Sequence, residues 1–430
     1  MLILVYCLGV VSATWPFPEQ VHVSWTENPG ELMVTWVSYT QLDTRIAYRP
    51  MMCSSASENW LYAYGSSFAF NEGTNITRIC YIHKAKFPVL SSCFYEYVVG
   101  NGGFWSRVFE INGRSPSESD SEDTQSARFI VLGDWGTGPN GVYTNKLLSE
   151  EAKQRNFDAV LHIGDLAYDL NDNEGQVGDQ WLNMIEPISS AYPYMTLPGN
   201  HEVPNNFTHY INRFSMPLNS ANQGTGFFYS FDLGSAHIIM INTEGYFYYN
   251  NITGLTQYNW LVEDLYQANL HRNIRPWVIV LTHHPVYCSL DWSESFKACG
   301  PDAVLLQEEL EELFYTNAVD LVFQAHVHNY ERDTPIYKNQ TVYGIYDSLH
   351  THVGPKAPIY ITSGNAGNYE GSNTPLVQNP QAWSQAWSSD FGYGRLVVEN
   401  KTHSFWEQFS AQSLKVIDYA WIIKTQNRYN

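Results

Sequence analysis

Positive charge is what this chain has least of: Lys and Arg number 23 in 430 residues against 43 Asp and Glu, a formal net charge of −20. No basic footprint for nucleic acid is expected, and a long polyanion would be repelled. Long apolar runs are also missing. Beyond Ala13 nothing approaches the roughly 18–20 consecutive apolar residues that cross a bilayer, so no membrane partner is expected. Cysteine is sparse, with six in the whole chain.

Residues 1–13 (MLILVYCLGVVSA) are almost wholly apolar and end in Val11-Ser12-Ala13, a small-residue pattern that reads as a signal peptide. Asn-x-Ser/Thr acceptors stand at Asn75, Asn206, Asn251, Asn339 and Asn400. Together these features read as a secreted or lysosomal glycoprotein. Signal removal takes Cys7 and leaves Cys53, Cys80, Cys93, Cys288 and Cys299, an odd set for an oxidising compartment. Cys288 and Cys299 bracket a short loop and are expected to pair. The other three stay unassigned, and an unpaired thiol would allow a disulfide-linked dimer; oligomeric state is left open.

Three segments follow the leader. Residues 14–112 hold short alternating runs such as Gln20–Trp25, Glu31–Val37, Thr44–Tyr48 and Tyr95–Val99, separated by turn residues, which is the pattern of an all-β sandwich. Residues 113–126 (GRSPSESDSEDTQS) are polar, acidic and aperiodic, and read as a linker. Residues 127–430 change character. Phe129–Leu132, Ala159–Ile163, His237–Ile241, Trp277–Leu281, Asp320–Phe323 and Ile359–Thr362 are continuous apolar strands, and helical spacing covers Asn145–Arg155, Thr256–Ala268 and Ala303–Tyr315. Late strands are expected at Phe391–Glu399 and His403–Phe409. This is a layered α/β domain, whose ligand sites lie past the carboxyl ends of strands.

Five short motifs lie at such ends: Gly133-Asp134-Trp135-Gly136, Gly164-Asp165-Leu166-Ala167-Tyr168, Gly199-Asn200-His201-Glu202, Val280-Leu281-Thr282-His283 and Ala325-His326-Val327-His328. Taken singly, each is weak, since a Gly-Asp after a strand is commonly only a turn. As an ordered series they supply Asp134, Asp165, Tyr168, Asn200, His283, His326 and His328, all oxygen or nitrogen donors suited to a borderline divalent ion or to ferric iron. Asp165, in the second motif, is the candidate bridge, because a carboxylate can span two ions about 3.5–4 Å apart. Asn200 is neutral and gives one ion fewer negative ligands, which allows two different metals side by side.

The series resembles the metallophosphoesterase superfamily and, within it, the purple acid phosphatases, in their long animal-type form. Relatives outside that branch carry Asp-x-His in the first motif; here Gly136 lacks the histidine and Tyr168 can supply the missing ligand. The resemblance extends to Arg213-Phe-Ser-Met-Pro217, Asn329-Tyr-Glu-Arg332 and Phe391-Gly-Tyr-Gly394. It implies a fibronectin-III-like sandwich joined to an αββα-type catalytic domain. It further implies that Asp134, Tyr168 and His328 hold Fe(III), that Asn200, His283 and His326 hold a divalent Fe, Zn or Mn ion, and that Asp165 bridges. The activity implied is acid hydrolysis of small phosphate monoesters by a metal-bound hydroxide, with His201 contacting phosphate or protonating the leaving alkoxide. Rivals are a phosphodiesterase or nucleotide pyrophosphatase of the same fold, and a non-catalytic secreted adhesion protein, which intact ligands disfavour.

Other residues read more plainly. Plant relatives carry substrate histidines after the fourth motif, where this chain has Cys288-Ser-Leu-Asp-Trp292, and His284 is expected to pack or face solvent. Ala325 stands where the family has Gly and adds a methyl near the metals. His162 reads as a core histidine, His350 and His352 as a solvated loop, and Gln307–Glu312 (QEELEE) as a solvent face.

Overall fold

The computed structural model describes residues 16–71, 78–91, 93–101, 103–116, 126–223, 226–248, 252–290, 298–372 and 381–425, without the side chains of 252 and 253. The leader, Asn75, Asn251, residues 117–125 of the expected linker and Trp292 lie outside them. The alternating runs near the amino terminus form two facing antiparallel sheets. One is ordered Glu19–Trp25, Glu31–Ser38, Cys80–Pro88, Ser66–Phe70; the other Leu61–Tyr64, Arg45–Met51, Phe94–Gly100, Phe109–Asn112. Alternation puts Val21, Val23, Trp25, Trp36, Phe87 and Tyr97 inside, all at most 1 % exposed. Cys53–Cys93 bridges this unit. Cys80 takes part in neither bridge, is buried, and its thiol donates to the Phe70 carbonyl, so it is not presented to a second chain.

Two larger sheets stack face to face in the second unit. The first is ordered Tyr194–Leu197, Ala159–Ile163, Ala127–Leu132, Gly392–Val398, His403–Ser410, Lys415–Ile423, Thr351–Val353, Tyr346–Ser348. The second contains the parallel run Ala236–Met240, Trp277–Leu281, Leu321–Gln324, Ile359–Ser363, edged by Tyr229–Leu233 and by Tyr330–Tyr337. One face of each strand, with Phe129, Leu161, Met195, Ile238, Ile279 and Phe323, meets the opposite sheet in a shared core. The other faces are covered by helices: Pro139–Ala152 and Gln176–Ser189 on the first sheet, Ile252–Leu270 and the turns through Ala303–Thr316 on the second. Both faces of the central strands are therefore dry, which is why they read as unbroken apolar runs. The result is the expected αββα stack beside a β-sandwich.

The two units are stitched together. His22 Nε2 lies 2.8 Å from the Arg213 carbonyl, Tyr97 Oη donates to the Ser190 carbonyl at 2.6 Å, and buried Arg213 donates to Asp179 at 2.8 Å and Gln20 at 3.3 Å. The Arg213 motif thus serves the junction rather than the metal motifs.

Several local expectations differ from the structure. Helix Gln176–Ser189 is not legible in the sequence, because Gly178 and Pro187 interrupt it. His352 is fully buried, with Nδ1 2.8 Å from Asp347, because Thr351–Val353 is a strand paired with Lys415–Ile423 and not a loop. Glu311 is buried and accepts from the Tyr287 hydroxyl and, at 2.7 Å, from the Lys338 N–H, so the acidic run is not wholly a solvent face. His162 is a core histidine, held 2.8 Å from Tyr194 Oη. Cys288 and Cys299 form the second disulfide.

Candidate metal centre

Five parallel strands, drawn from both sheets, deliver the motifs to one place. Asp134 follows Ala127–Leu132, Asp165 follows Ala159–Ile163, Asn200 follows Tyr194–Leu197, His283 follows Trp277–Leu281, and His326 follows Leu321–Gln324. The backbone turns sharply there: Asp134, Asp165, Tyr168 and His326 all have φ between 52° and 64°. Such left-handed conformations cost energy for residues with side chains and persist where the surroundings impose them. Gly199 is required for a separate reason, since a Cβ there would lie 2.3 Å from Asp165 Oδ1.

The donor atoms fall into two groups. Tyr168 Oη donates to Asp134 Oδ1 at 2.9 Å and lies 2.7 Å from His328 Nε2, which is itself 3.4 Å from Asp134 Oδ1. His283 Nε2 lies 3.0 Å from Asn200 Oδ1 and 3.3 Å from Asp165 Oδ2. Ligand atoms of Asp134, Asp165 and His283 lie within 4.8 Å of one another, linking the groups, and the His326 ring centroid is 5.2 Å from that of His283. All seven sequence-named residues converge.

Each orienting contact uses the atom left over. His283 Nδ1 meets the Ile163 carbonyl at 2.9 Å and His328 Nδ1 the Gly371 carbonyl at 3.1 Å, so both rings present Nε2 to the cluster. Asp134 Oδ2 accepts the His326 N–H at 3.0 Å, and Asp165 Oδ1 accepts that of His201 at 3.0 Å. Two buried carboxylates and the His283 imidazole, their ligand atoms within 4.8 Å of one another and with oxygen and nitrogen donors only around them, fit a pair of hard or borderline cations. Burial, reinforced by the charges of Asp134 and Asp165, holds the Tyr168 phenol well above its ordinary pKa, so a strongly polarising cation would be needed to ionise it.

Comparison with known proteins agrees with this geometry. Family models match residues 18–112 as purple acid phosphatase N-terminal domain, 127–330 as calcineurin-like phosphoesterase, and 357–419 as iron/zinc purple acid phosphatase-like protein C. Acid phosphatase type 7 of Mus musculus is 37% identical over 95% of this chain and 91% of its own length. The chain belongs to the purple acid phosphatase family. It is accordingly a metallophosphoesterase-type hydrolase. The Fe(3+)-Zn(2+) purple acid phosphatase 12 of Arabidopsis thaliana is 28% identical over 94% of this chain and 84% of its own. In fold, the structure resembles a purple acid phosphatase from yellow lupin (Lupinus luteus) seeds, with a TM-score of 0.81 at 23% identity, covering 96% of this chain and 75% of that one.

At Gly136 a Cβ would meet Asn368 Cα at 3.4 Å and Tyr369 N at 3.6 Å, ordinary contact distances, and the Tyr369 ring packs edge-on against Tyr168 at 5.4 Å. The Ala325 methyl points at Gly133, where an added Cβ would sit only 2.6 Å away, so it packs behind the first motif instead of among the donors. His284 is not on the surface; it is 4 % exposed and stacks on His326 at 4.0 Å.

His201 stands at the rim, half-buried, with Nδ1 2.7 Å from Asp169 Oδ1 and Nε2 3.9 Å from Asp165 Oδ2. Burial disfavours its charge, but Asp165 and the bonded Asp169 override burial and push its pKa up to about 10. Sequence reasoning did not assign Asp169 or Glu202. Asp169 follows Tyr168 directly, and Glu202 closes the third motif; their roles depend on contacts between separate loops.

Proposed function

We propose that the chain hydrolyses phosphate monoesters in acid with a dinuclear Fe(III)–M(II) centre, M being Fe, Zn or Mn. Asp134, Tyr168 and His328 would hold the ferric ion, Asn200, His283 and His326 the divalent ion, and Asp165 would bridge. The observation that carries the reading is Tyr168 Oη lying between Asp134 and His328, beside a first motif that ends in Gly136 instead of histidine. When bound, such a pair supplies Lewis acidity toward phosphate oxygens and lowers the pKa of water, most strongly at the trivalent ion.

The chain's own residues supply the remainder. Asp169 fixes the His201 ring through Nδ1, which leaves Nε2 facing the cluster. From there Nε2–H would donate its proton to the leaving alkoxide oxygen as the P–O bond breaks. Glu202 holds the backbone of Asp165 and Gly199, keeping the second and third motifs in register.

The acceptor Asn206 is exposed in the first turn of Pro204–Arg213, Asn339 lies on an exposed turn, and Asn400 on a partly exposed bend. Two disulfides support passage through an oxidising compartment, and among the described residues no helix is long and apolar enough to cross a membrane. Secretion or lysosomal delivery of a glycoprotein is the localisation we favour, with the sandwich at 14–112, a linker at 113–126 and the catalytic unit at 127–430.

Metal analysis of the purified chain, combined with turnover of p-nitrophenyl phosphate and bis(p-nitrophenyl) phosphate across pH, tests this. Two metals per chain and preferred monoester turnover below neutrality are expected. Faster bis-ester hydrolysis would favour the phosphodiesterase reading, and metal-free, inert protein the adhesive one.

A further inference from the structure

Beyond the seven donors, the site has a rim of its own. Two rings flank Tyr168, His201 at 4.4 Å and Tyr369 at 5.4 Å between centroids, and Tyr369 is 59 % exposed. Carboxylates that the metal arrangement does not use stand beside them. Asp169 Oδ1 lies 2.7 Å from His201 Nδ1, and the Asp172 N–H donates to the Asp169 carbonyl at 3.1 Å, which fixes the exposed Asp172 in the same turn. On the other side, the exposed Glu370 brings Oε2 to 3.9 Å from His328 Nε2. Burial, followed by the charges of Asp169, Glu370, Asp172 and Asp165, raises the Tyr369 phenol above its ordinary pKa, so these carboxylates all act on one spot.

No cation offsets them. Among the described residues, neither Asp172 nor Glu370 pairs with Lys or Arg, and Arg78, which reaches the Glu174 carbonyl nearby, is committed to Asp179. The alcohol departs toward His201, whose Nε2 is the proton donor proposed above, and so along the turn that carries Asp169 and Asp172. Resting on the monoesterase reading above, we propose that Asp172 and Glu370 select the leaving group, so that phosphate monoesters of cationic amino alcohols are preferred to those whose alcohol carries a further negative charge. The two rim carboxylates draw a cationic alcohol toward the site, whereas an anionic one meets only like charge.

Steady-state kcat/KM for phosphocholine and for phosphoglycolate, measured on the full chain and on the double variant Asp172→Asn/Glu370→Gln, tests the selection. Both side chains are exposed, so the variant should fold as the unmodified chain does. Intrinsic reactivity cancels when the amine-to-acid ratio is compared between the two chains. We expect the variant to lower that ratio roughly tenfold, and added salt to lower it in the unmodified chain more than in the variant. An equal ratio in the two chains overturns the proposal and leaves the monoesterase reading intact. A chain that turns over neither of these esters nor p-nitrophenyl phosphate removes both.

Discussion

Glu202 accepts the backbone N–H of Asp165 at 2.9 Å, with the same oxygen taking the Gly199 N–H at 2.8 Å and the other oxygen the Leu166 N–H at 2.8 Å. One buried carboxylate thus clamps two motifs that are more than thirty residues apart in the chain. Glu202→Gln must turn an NH2 toward at least one of these N–H groups. A loss of about 1–3 kcal/mol in stability is expected, together with metal affinity weakened roughly 10–100-fold. Thermal unfolding with and without metal, and elemental analysis, measure the two effects.

Tyr168→Phe removes only the oxygen that sits between Asp134 and His328. The visible phenolate-to-iron charge-transfer band should vanish while the chain stays folded. Absorption spectroscopy checks this, and an unchanged band would refute the ligand assignment.

His201 and Asp169 form a pair at 2.7 Å. If Nε2 protonates the leaving group, His201→Ala should lower kcat by about 10²–10⁴ for poor leaving groups and much less for p-nitrophenol. Asp169→Asn should show the same selectivity in weaker form. Steady-state rates over a series of aryl and alkyl phosphates discriminate, because a uniform fall would mean positioning alone.

Away from the site, His237 lies 2.6 Å from Asp232 and 2.9 Å from Asp264, with Arg275 3.2 Å from Asp232. Burial by itself would depress His237, but Asp264 and the bonded Asp232 push its pKa up to about 10. A raised folded-state pKa stabilises fully below the unfolded value of about 6.5 and fades as pH rises toward 10. Asp232 is buried too, yet His237 and Arg275 lower it, so its contribution is present above the ordinary carboxylate pKa and is lost as pH falls. The chain should therefore be most stable in mild acid. His237→Gln should flatten the profile of Tm against pH between 6.5 and 10, with a difference on the order of 3 kcal/mol at the acid end; calorimetry across pH reads this directly.

Much of this was legible in the chain. Apolar runs such as Trp277–Leu281 declare strands buried on both faces, and a donor placed just past each run declares where the site lies. Short or interrupted elements were harder: Tyr194–Leu197 is only four residues, and Tyr229–Leu233 alternates like an exposed edge. Glu311 looked solvated because a run of charges carries no record of the Tyr287 hydroxyl that meets it.

By itself the sequence determined the donor set and its order, because ligand chemistry resides in residue types and the exchange of histidine for Gly136 and Tyr168 is a local pattern. Only the tertiary structure decided which unlabelled groups stand behind those donors. Glu202 clamps Asp165 and Asp169 steers His201, across gaps of more than thirty residues. Such contacts join loops on different strands, and their partners are fixed by how two stacked sheets bring strand ends together, a relation with no local periodicity to read.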